Sequence, residues 1–478
     1  MTAIPRPSVR RRTAARRRPV RCALLATALL LVTSCTGGSD GTDGKAGAAG
    51  AGDPLFPRLG NGGYDVTHYG LTLDYTPDAN RLRATAVLTA RATQELGAFN
   101  LDLKGLRVRS ARVDGEPART ARKGSELTVT PRAALERGHE FETVIVYEGV
   151  PKEITDADGE SVEGWVETDD GAAALGQPTG SMAWFPGNHH PSDKATYDIT
   201  VTVPTGYTAV ANGELRRKEE RDGRTTFSWH NGEPMASYLA SVAVNEFEVT
   251  TGRAGELPLY IAAHPKEAAA GRKMAKLLPE ILPWASGLFG PYPFSSAGAV
   301  IDHNNYVDYA LETQTKPYFD SAPTDEIVVH ELAHQWFGNS VTPRTWRDMW
   351  LNESWAQYAE WLWEEKRGGR TVQRIFDDFY DGKDDESPGI WAFPPASPTP
   401  ETVSDPPVYG RGAMVLHKVR RAVGDDTFFA IARTWAADHR HGNADTAQFI
   451  ALCEKKSGKD LGALFDTWLF GKGRPAER

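Results

Sequence analysis

Cysteine is scarce in this chain. Three occur in 478 residues, at positions 22, 35 and 453, too few for a disulfide framework, so side-chain packing must hold the folded body together. Cys453, in "FIALCEKK", reads as a buried helical thiol. Long hydrophobic runs are missing too: the apolar stretch 22–32, "CALLATALLLV", falls short of the roughly 20 residues that a membrane-spanning helix needs. Basic charge is missing from the body. The net charge is −9, yet residues 1–34 hold eight Arg, no Lys and no acid, which leaves −17 on the remainder. A surface that acidic excludes nucleic acid as a partner. With 40% hydrophobic and 24% charged residues, disorder is excluded as well, and the length points to roughly three domains.

What the amino terminus does contain is an export signal. Arg6, Arg10 to Arg12, Arg16 to Arg18 and Arg21 precede the short apolar run, which ends at "VTSC". That ending resembles a bacterial lipobox, in which the cysteine is lipidated and becomes the first mature residue, so residues 1–35 are expected to be a lipoprotein signal with Cys35 as the anchor. The expectation is an exported protein held on the outer side of the cell membrane by lipid; consecutive arginines leave the twin-arginine route open. Residues 36–53, "TGGSDGTDGKAGAAGAGD", hold no core-forming side chains and read as a flexible tether.

From residue 54 to about 250 the apolar period is two. Tyr69, Leu71, Leu73 and Tyr75 alternate with other residues, as do Leu82, Ala84, Ala86, Leu88 and Ala90, and Tyr197, Ile199, Val201 and Val203. Turn clusters such as "TPDAN" and "VDGEP" separate the runs, which predicts antiparallel strands. After "ELPLYIAAHP" the spacing of Met274, Leu277, Leu278, Ile281 and Leu282 is helical, stopped by Gly290 and Pro291. "AGAVI" reads as a short strand, and helices are expected at about 325–338 and 351–367. The fold class is therefore multidomain α and β: an N-terminal all-β domain over 54–250, then a mainly α domain over 251–475.

The stretch "VVHELAHQWFGNSV", 328–341, places His330 and His334 four apart with Glu331 between them. On a helix the two imidazoles lie about 40° apart and can meet one ion. Chance supplies about 0.02 such H-E-x-x-H matches in a chain of this make-up. Catalytic zinc takes three protein ligands and keeps one position for water. A third candidate is Glu353, separated from His334 by 18 residues, at the start of "WLNESWAQYAEWLW". Glu331, about 100° round the helix, is aimed at the water, as a general base must be. His189 and His190, in a turn, and His439 and His441, in the polar run "DHRHGNAD", read as surface residues and not as a second metal site.

H-E-x-x-H followed after 18 residues by the Glu of N-E resembles the gluzincin aminopeptidases, the aminopeptidase N family, in a short bacterial lipoprotein form. "HELAHQWFGN" and "WLNESWAQYAE" carry most of that resemblance. "YALET" (309–313), "VYGRG" (408–412) and "WFPGNHHPSDKATYDITVTVP" extend it over most of residues 54–470. The resemblance implies a saddle-like β domain on a thermolysin-like catalytic domain and one zinc per chain, bound by His330, His334 and Glu353. It implies an aminopeptidase acting on peptides with a free amino terminus. Tyr409 would stabilise the oxyanion, and Glu312 would bind the substrate ammonium, joined by Gln177. Gly, Met and Asn of the family's G-x-M-E-N are Tyr309, Leu311 and Thr313 here, so the first side-chain pocket departs from the pattern. Larger family members cap their chamber with a helical domain that this sequence does not reach, which leaves an endopeptidase with an open cleft as one alternative. A surface lipoprotein that binds peptide or metal without turnover is the other.

Overall fold

The computed structural model describes residues 44–159, 161–304 and 306–476. The expected signal, Cys22, Cys35 and residues 36–43 lie outside them. Alternation in the sequence becomes one-sided burial: along the strand Tyr64–Thr76, Tyr69, Leu71, Leu73 and Tyr75 are buried while Thr72 and Asp74 are exposed. The same holds for the apolar sets on Arg81–Ala92 and Lys194–Pro204. These strands form the centre of an eight-stranded sheet ordered Glu214–Arg221, Arg224–Ala236, Lys194–Pro204, Tyr64–Thr76, Arg81–Ala92, Glu140–Gly149, Arg107–Val113, Glu116–Pro117. Every neighbouring pair is antiparallel except Tyr64–Thr76 with Lys194–Pro204. A five-stranded sheet ends at the hairpin of Glu153–Thr155 and Val162–Thr168, whose loop later proves to wall the site.

The chain then builds a further, mixed sheet ordered Glu248–Ala254, Leu257–Ala263, Ala297–Ile301, Tyr318–Phe319, Ala310–Leu311. The strand Glu248–Ala254 thus belongs to this sheet, a few residues ahead of the divide read at 250. Eight helices follow or intervene among the described residues: α1 Ala268–Phe289, α2 Asp325–Ala333, α3 Trp350–Lys366, α4 Val372–Asp381, α5 Gly412–Val423, α6 Asp425–Asp438, α7 Thr446–Ser457 and α8 Gly462–Trp468. None is long and apolar enough to cross a membrane. Cys453 is buried in α7.

Three sequence readings are corrected. Residues 44–53 are not a free tether: Ala46 bridges Ala98, and Ala49 bridges Asn61. The glycines there serve close backbone approach, since a Cβ on Gly44 would lie 2.3 Å from the Gly97 nitrogen. Second, His189 and His190 are buried, not on the surface. His190 Nε2 lies 3.2 Å from Asp53 Oδ2, and that oxygen also accepts from the Trp346 amide at 2.9 Å. Burial holds the His189 imidazole down at about 4. The polar turn folds inward because carboxylates of the 44–53 segment and the β domain receive its donors. Third, the helix read at 325–338 stops at Ala333. Its hydrogen bonds tighten to three-residue turns there (Gln335 N to Leu332 O, Trp336 N to Ala333 O, both 3.1 Å).

Candidate metal centre

Helix α2 starts where its sequence says it should. Thr324 caps it by accepting from the Ile327 amide at 3.3 Å, and Asp325 and Glu326 occupy the first turn, where the helix dipole favours acids. Val328, Val329, Leu332 and Ala333 bury the back of the helix. Along helix α3, Trp350 to Ala359 are all buried, so the helix runs through the core. The pair brings Glu353, in the first turn of α3, to the two histidines.

Glu353 Oε2 lies 3.4 Å from His330 Nε2 and 3.3 Å from His334 Nε2. Two ligands about 2.0–2.1 Å from one ion at a tetrahedral angle are separated by about 3.3–3.4 Å, which is the zinc geometry for N and O donors. All three residues offer donor atoms within 4.8 Å of one another, and a second overlapping group joins His334 to Glu312 and Glu331. The far ring nitrogens are committed elsewhere. His330 Nδ1 lies 2.5 Å from Glu360 Oε1, and His334 Nδ1 lies 3.1 Å from the Phe337 carbonyl oxygen. Each bond places the ring proton on Nδ1 and turns the Nε2 lone pair toward the common point. A zinc ion therefore fits these residues, with two histidines and one carboxylate as a catalytic site requires.

The electrostatics agree. Burial opposes ionisation of Glu353, but His334 and His330 outweigh it and hold the carboxyl at about 2. Burial likewise opposes charge on His334, yet Glu353 and Glu312 raise it to about 9. A cation at the Nε2 atoms competes with those protons, so metal affinity falls as pH falls.

Around this cluster lies a cavity of about 330 Å³, walled by Glu312, Glu331, Gln177 and Tyr409 as well as the three donors. Glu331 Oε2 is buried without a hydrogen-bond partner, and burial pushes its carboxyl up to about 8 against the pull of His330 and His334. The Tyr409 ring stacks over His330 at 6.0 Å. It sits on a π-helical turn, Pro407–Arg411, that leads into α5. That turn is pressed onto α3: Ser354 Oγ donates to the Val408 carbonyl at 3.0 Å, and a Cβ on Gly412 would lie 1.7 Å from Ser354 Oγ. Burial, then Glu353, Glu312 and Glu331, hold the Tyr409 hydroxyl well above its ordinary value, so it stays a donor.

Glu312 follows the edge strand Ala310–Leu311. Its carbonyl accepts from Asn339 Nδ2 at 2.6 Å and Gln335 Nε2 at 3.3 Å, while its side-chain Oε1 is buried and unpaired. Burial raises the carboxyl above its ordinary value. The loop carrying Asn339 is gripped in turn by the β domain, where the half-buried Lys194 side chain donates to the carbonyls of Asn339 and Ser340, each at 2.9 Å, and of Gly442 at 3.2 Å. Sequence reasoning missed Glu360 and Lys194. Glu360 is seven residues beyond Glu353, two turns along the same helix face, a spacing that could have exposed it.

A model of the peptidase family M1 N-terminal domain matches residues 65–239, and one of the peptidase family M1 domain matches residues 297–468. The chain belongs to the M1 peptidase family. Among M1 relatives, glutamyl aminopeptidase of Bos taurus is 28% identical over 64% of this chain and 34% of its own length. Probable aminopeptidase 1 of Saccharolobus solfataricus is 24% identical over 86% of this chain and 54% of its own. The chain thus spans about a third of the length of the mammalian relative. An M1 zinc metallopeptidase of Deinococcus radiodurans, solved with a Tyr-Ser-Ala substrate, superposes with a TM-score of 0.80 at 28% identity, covering 89% of this chain and 98% of that one. A two-domain M1 zinc metallopeptidase solved with L-arginine gives 0.81 at 29% identity, covering 89% and 98%. The β-rich domain followed by a helical catalytic domain is therefore the M1 arrangement.

Proposed function

We propose that the chain is a zinc aminopeptidase that removes single residues from the amino termini of peptides. The observation that carries this reading is the Glu312 carboxylate: buried, with Oε1 unpaired, and opening into the same cavity as the metal donors. A buried carboxylate without a counter-charge is costly, and a substrate α-ammonium is the cation that would offset it. Pairing the ammonium there fixes the scissile carbonyl one residue away, over the metal donors. The D. radiodurans neighbour was solved with a Tyr-Ser-Ala substrate, which supports a peptide as the substrate.

His330, His334 and Glu353 would hold the zinc, which when bound supplies a Lewis acid and lowers the pKa of water at its open position. Glu331 takes a proton from the attacking water and passes it to the departing amine; its Oε2 is free to do so. The Tyr409 hydroxyl donates to the oxygen that becomes negative when water adds to the carbonyl. Gln177, which lines the same cavity, joins Glu312 at the ammonium; its Oε1 is buried and unpaired. Glu360 keeps His330 in the right tautomer.

The test is hydrolysis of aminoacyl chromogenic amides beside their N-acetylated counterparts, with and without a chelator. Chelator-sensitive cleavage of the free-amine set alone is expected, whereas cleavage of acetylated amides would sink the ammonium role of Glu312. Tyr409→Phe should lower kcat by about 10²- to 10³-fold, the usual cost of one oxyanion donor, with little change in KM. An unchanged kcat would leave the ring merely packed on His330.

The location of the protein is proposed on sequence alone: export, and a lipid anchor on Cys35, supported by the arginine-rich segment, the short apolar run and "VTSC". Cys35→Ser should release activity from the membrane fraction; retention there would argue against the anchor.

A further inference from the structure

Among the described residues the cavity is lined by five carboxylates, Asp156, Glu163, Glu312, Glu331 and Glu353, and by no lysine or arginine. Their charges do not all find work in the reaction above. Zinc is matched by Glu353 and Glu331, and the substrate ammonium by Glu312. Glu163 is buried with both oxygens occupied: Oε2 accepts from the Thr179 and Gly180 amides, each at 2.9 Å, and Oε1 from the Thr179 hydroxyl. It acts as a brace that shapes the turn beside Gln177, and burial pushes its carboxyl up to about 8, so it adds little charge at neutral pH.

Asp156 remains. It lies on the loop between the strands Glu153–Thr155 and Val162–Thr168, half-buried. The loop is closed by the Asp156 amide donating to the Ser161 carbonyl at 2.9 Å. Asp156 Oδ1 accepts from the Ala157 amide at 2.6 Å, and Oδ2 has no hydrogen-bond partner among the described residues. Burial lifts the carboxyl to about 6, so it is charged at neutral pH. The loop is tied to the ammonium site by Tyr309, three residues before Glu312, whose hydroxyl donates to the Val162 carbonyl at 2.7 Å. Tyr309 thus forms the stretch of wall between Glu312 and the loop that carries Asp156. A first-residue side chain branches from the carbon that bears the ammonium, so with the ammonium on Glu312 it would start within the cavity that Tyr309 and Asp156 line.

We propose that this wall selects peptides whose first residue is cationic, with Asp156 as the counter-charge for a lysine or arginine side chain and Tyr309 as the surface along which its methylenes lie. This rests on the aminopeptidase reading above. An acidic first residue would bring a like charge to a wall already holding Asp156, and is selected against. A charge-assisted contact of this kind is worth about a ten- to hundredfold preference.

The experiment compares kcat/KM for Arg-, Lys-, Leu- and Glu-chromogenic amides with the zinc-loaded protein and with Asp156→Asn. Expected are faster turnover of Arg and Lys amides than of the Glu amide, and a ten- to hundredfold loss on Arg and Lys amides in Asp156→Asn. The Leu amide should stay within twofold, which also shows that the variant is folded. Calorimetric binding of free L-arginine should weaken in the variant while that of L-leucine holds. An unchanged Arg-to-Leu ratio, or a Glu amide cleaved as well as an Arg amide, overturns the selectivity while leaving the aminopeptidase intact. Failure to cleave any free-amine amide overturns both.

Discussion

Glu331→Gln should keep its zinc and lose its turnover. The substitution preserves the size of the side chain and removes only the capacity to accept a proton, so the donors contributed by His330, His334 and Glu353 are left in place. Loss of a positioned general base costs about 10²- to 10⁴-fold, equivalent to about 3–5 kcal/mol of barrier. Because Glu331 is to deliver the proton to the amine as well as accept it, the upper part of that range is expected. The pH profile offers a second check. Burial pushes the Glu331 carboxyl up to about 8, and a divalent cation beside it pulls the value back down. Below its pKa the residue is protonated and cannot act as a base, so kcat/KM of the unmodified protein should fall on the acid side through a limb that lies below about 8. The residual activity of Glu331→Gln should lack the limb. Full activity with bound zinc would remove Glu331 from the chemistry and require another base for the attacking water.

What could be read from the sequence was local. Tyr69, Leu71, Leu73 and Tyr75 face one way because a strand has period two, and His330 and His334 share a face because a helix has period 3.6. Glu353 was within reach of that logic because only a single helix-to-helix connection separates it from His334. Tyr409 and Gln177 were not: each comes from a different part of the chain, and nothing in their spacing says that a π-helical turn and a β-domain turn converge on one cavity. Resemblance alone nominated them. Composition misled where it stood for conformation. The glycines of 44–53 suggested a tether, yet they allow that segment to lie flat against Gly97, and its Asp53 covers the very turn that holds His190. Polar residues at 188–193 suggested a surface turn, but their partners are buried carboxylates, so polarity was a sign of an internal network. Asp156 carried no signal at all; its importance depends on Tyr309 reaching across to Val162.

Glu353→Ala should lose the metal itself, and with it both activity and stability. Its carboxylate is the one element common to both histidine contacts, and it supplies the negative charge that keeps His330 and His334 together in a buried site. Two neutral imidazoles alone form an incomplete zinc site. The unmodified protein binds zinc in the folded state, so zinc raises its unfolding temperature by mass action, with about 4 kcal/mol gained when free metal exceeds the dissociation constant a thousandfold. Glu353→Ala should contain well under one zinc per chain after dialysis and show little zinc-dependent rise in Tm. Glu331→Gln, altered at a neighbouring buried carboxyl, should retain both. The contrast separates loss of a ligand from general damage to the core around α2 and α3: if both variants lose zinc equally, the cluster is being disturbed as a whole. If Glu353→Ala keeps full stoichiometry, Glu353 is not a ligand, and the overlapping trio of Glu312, Glu331 and His334 becomes the donor set to test.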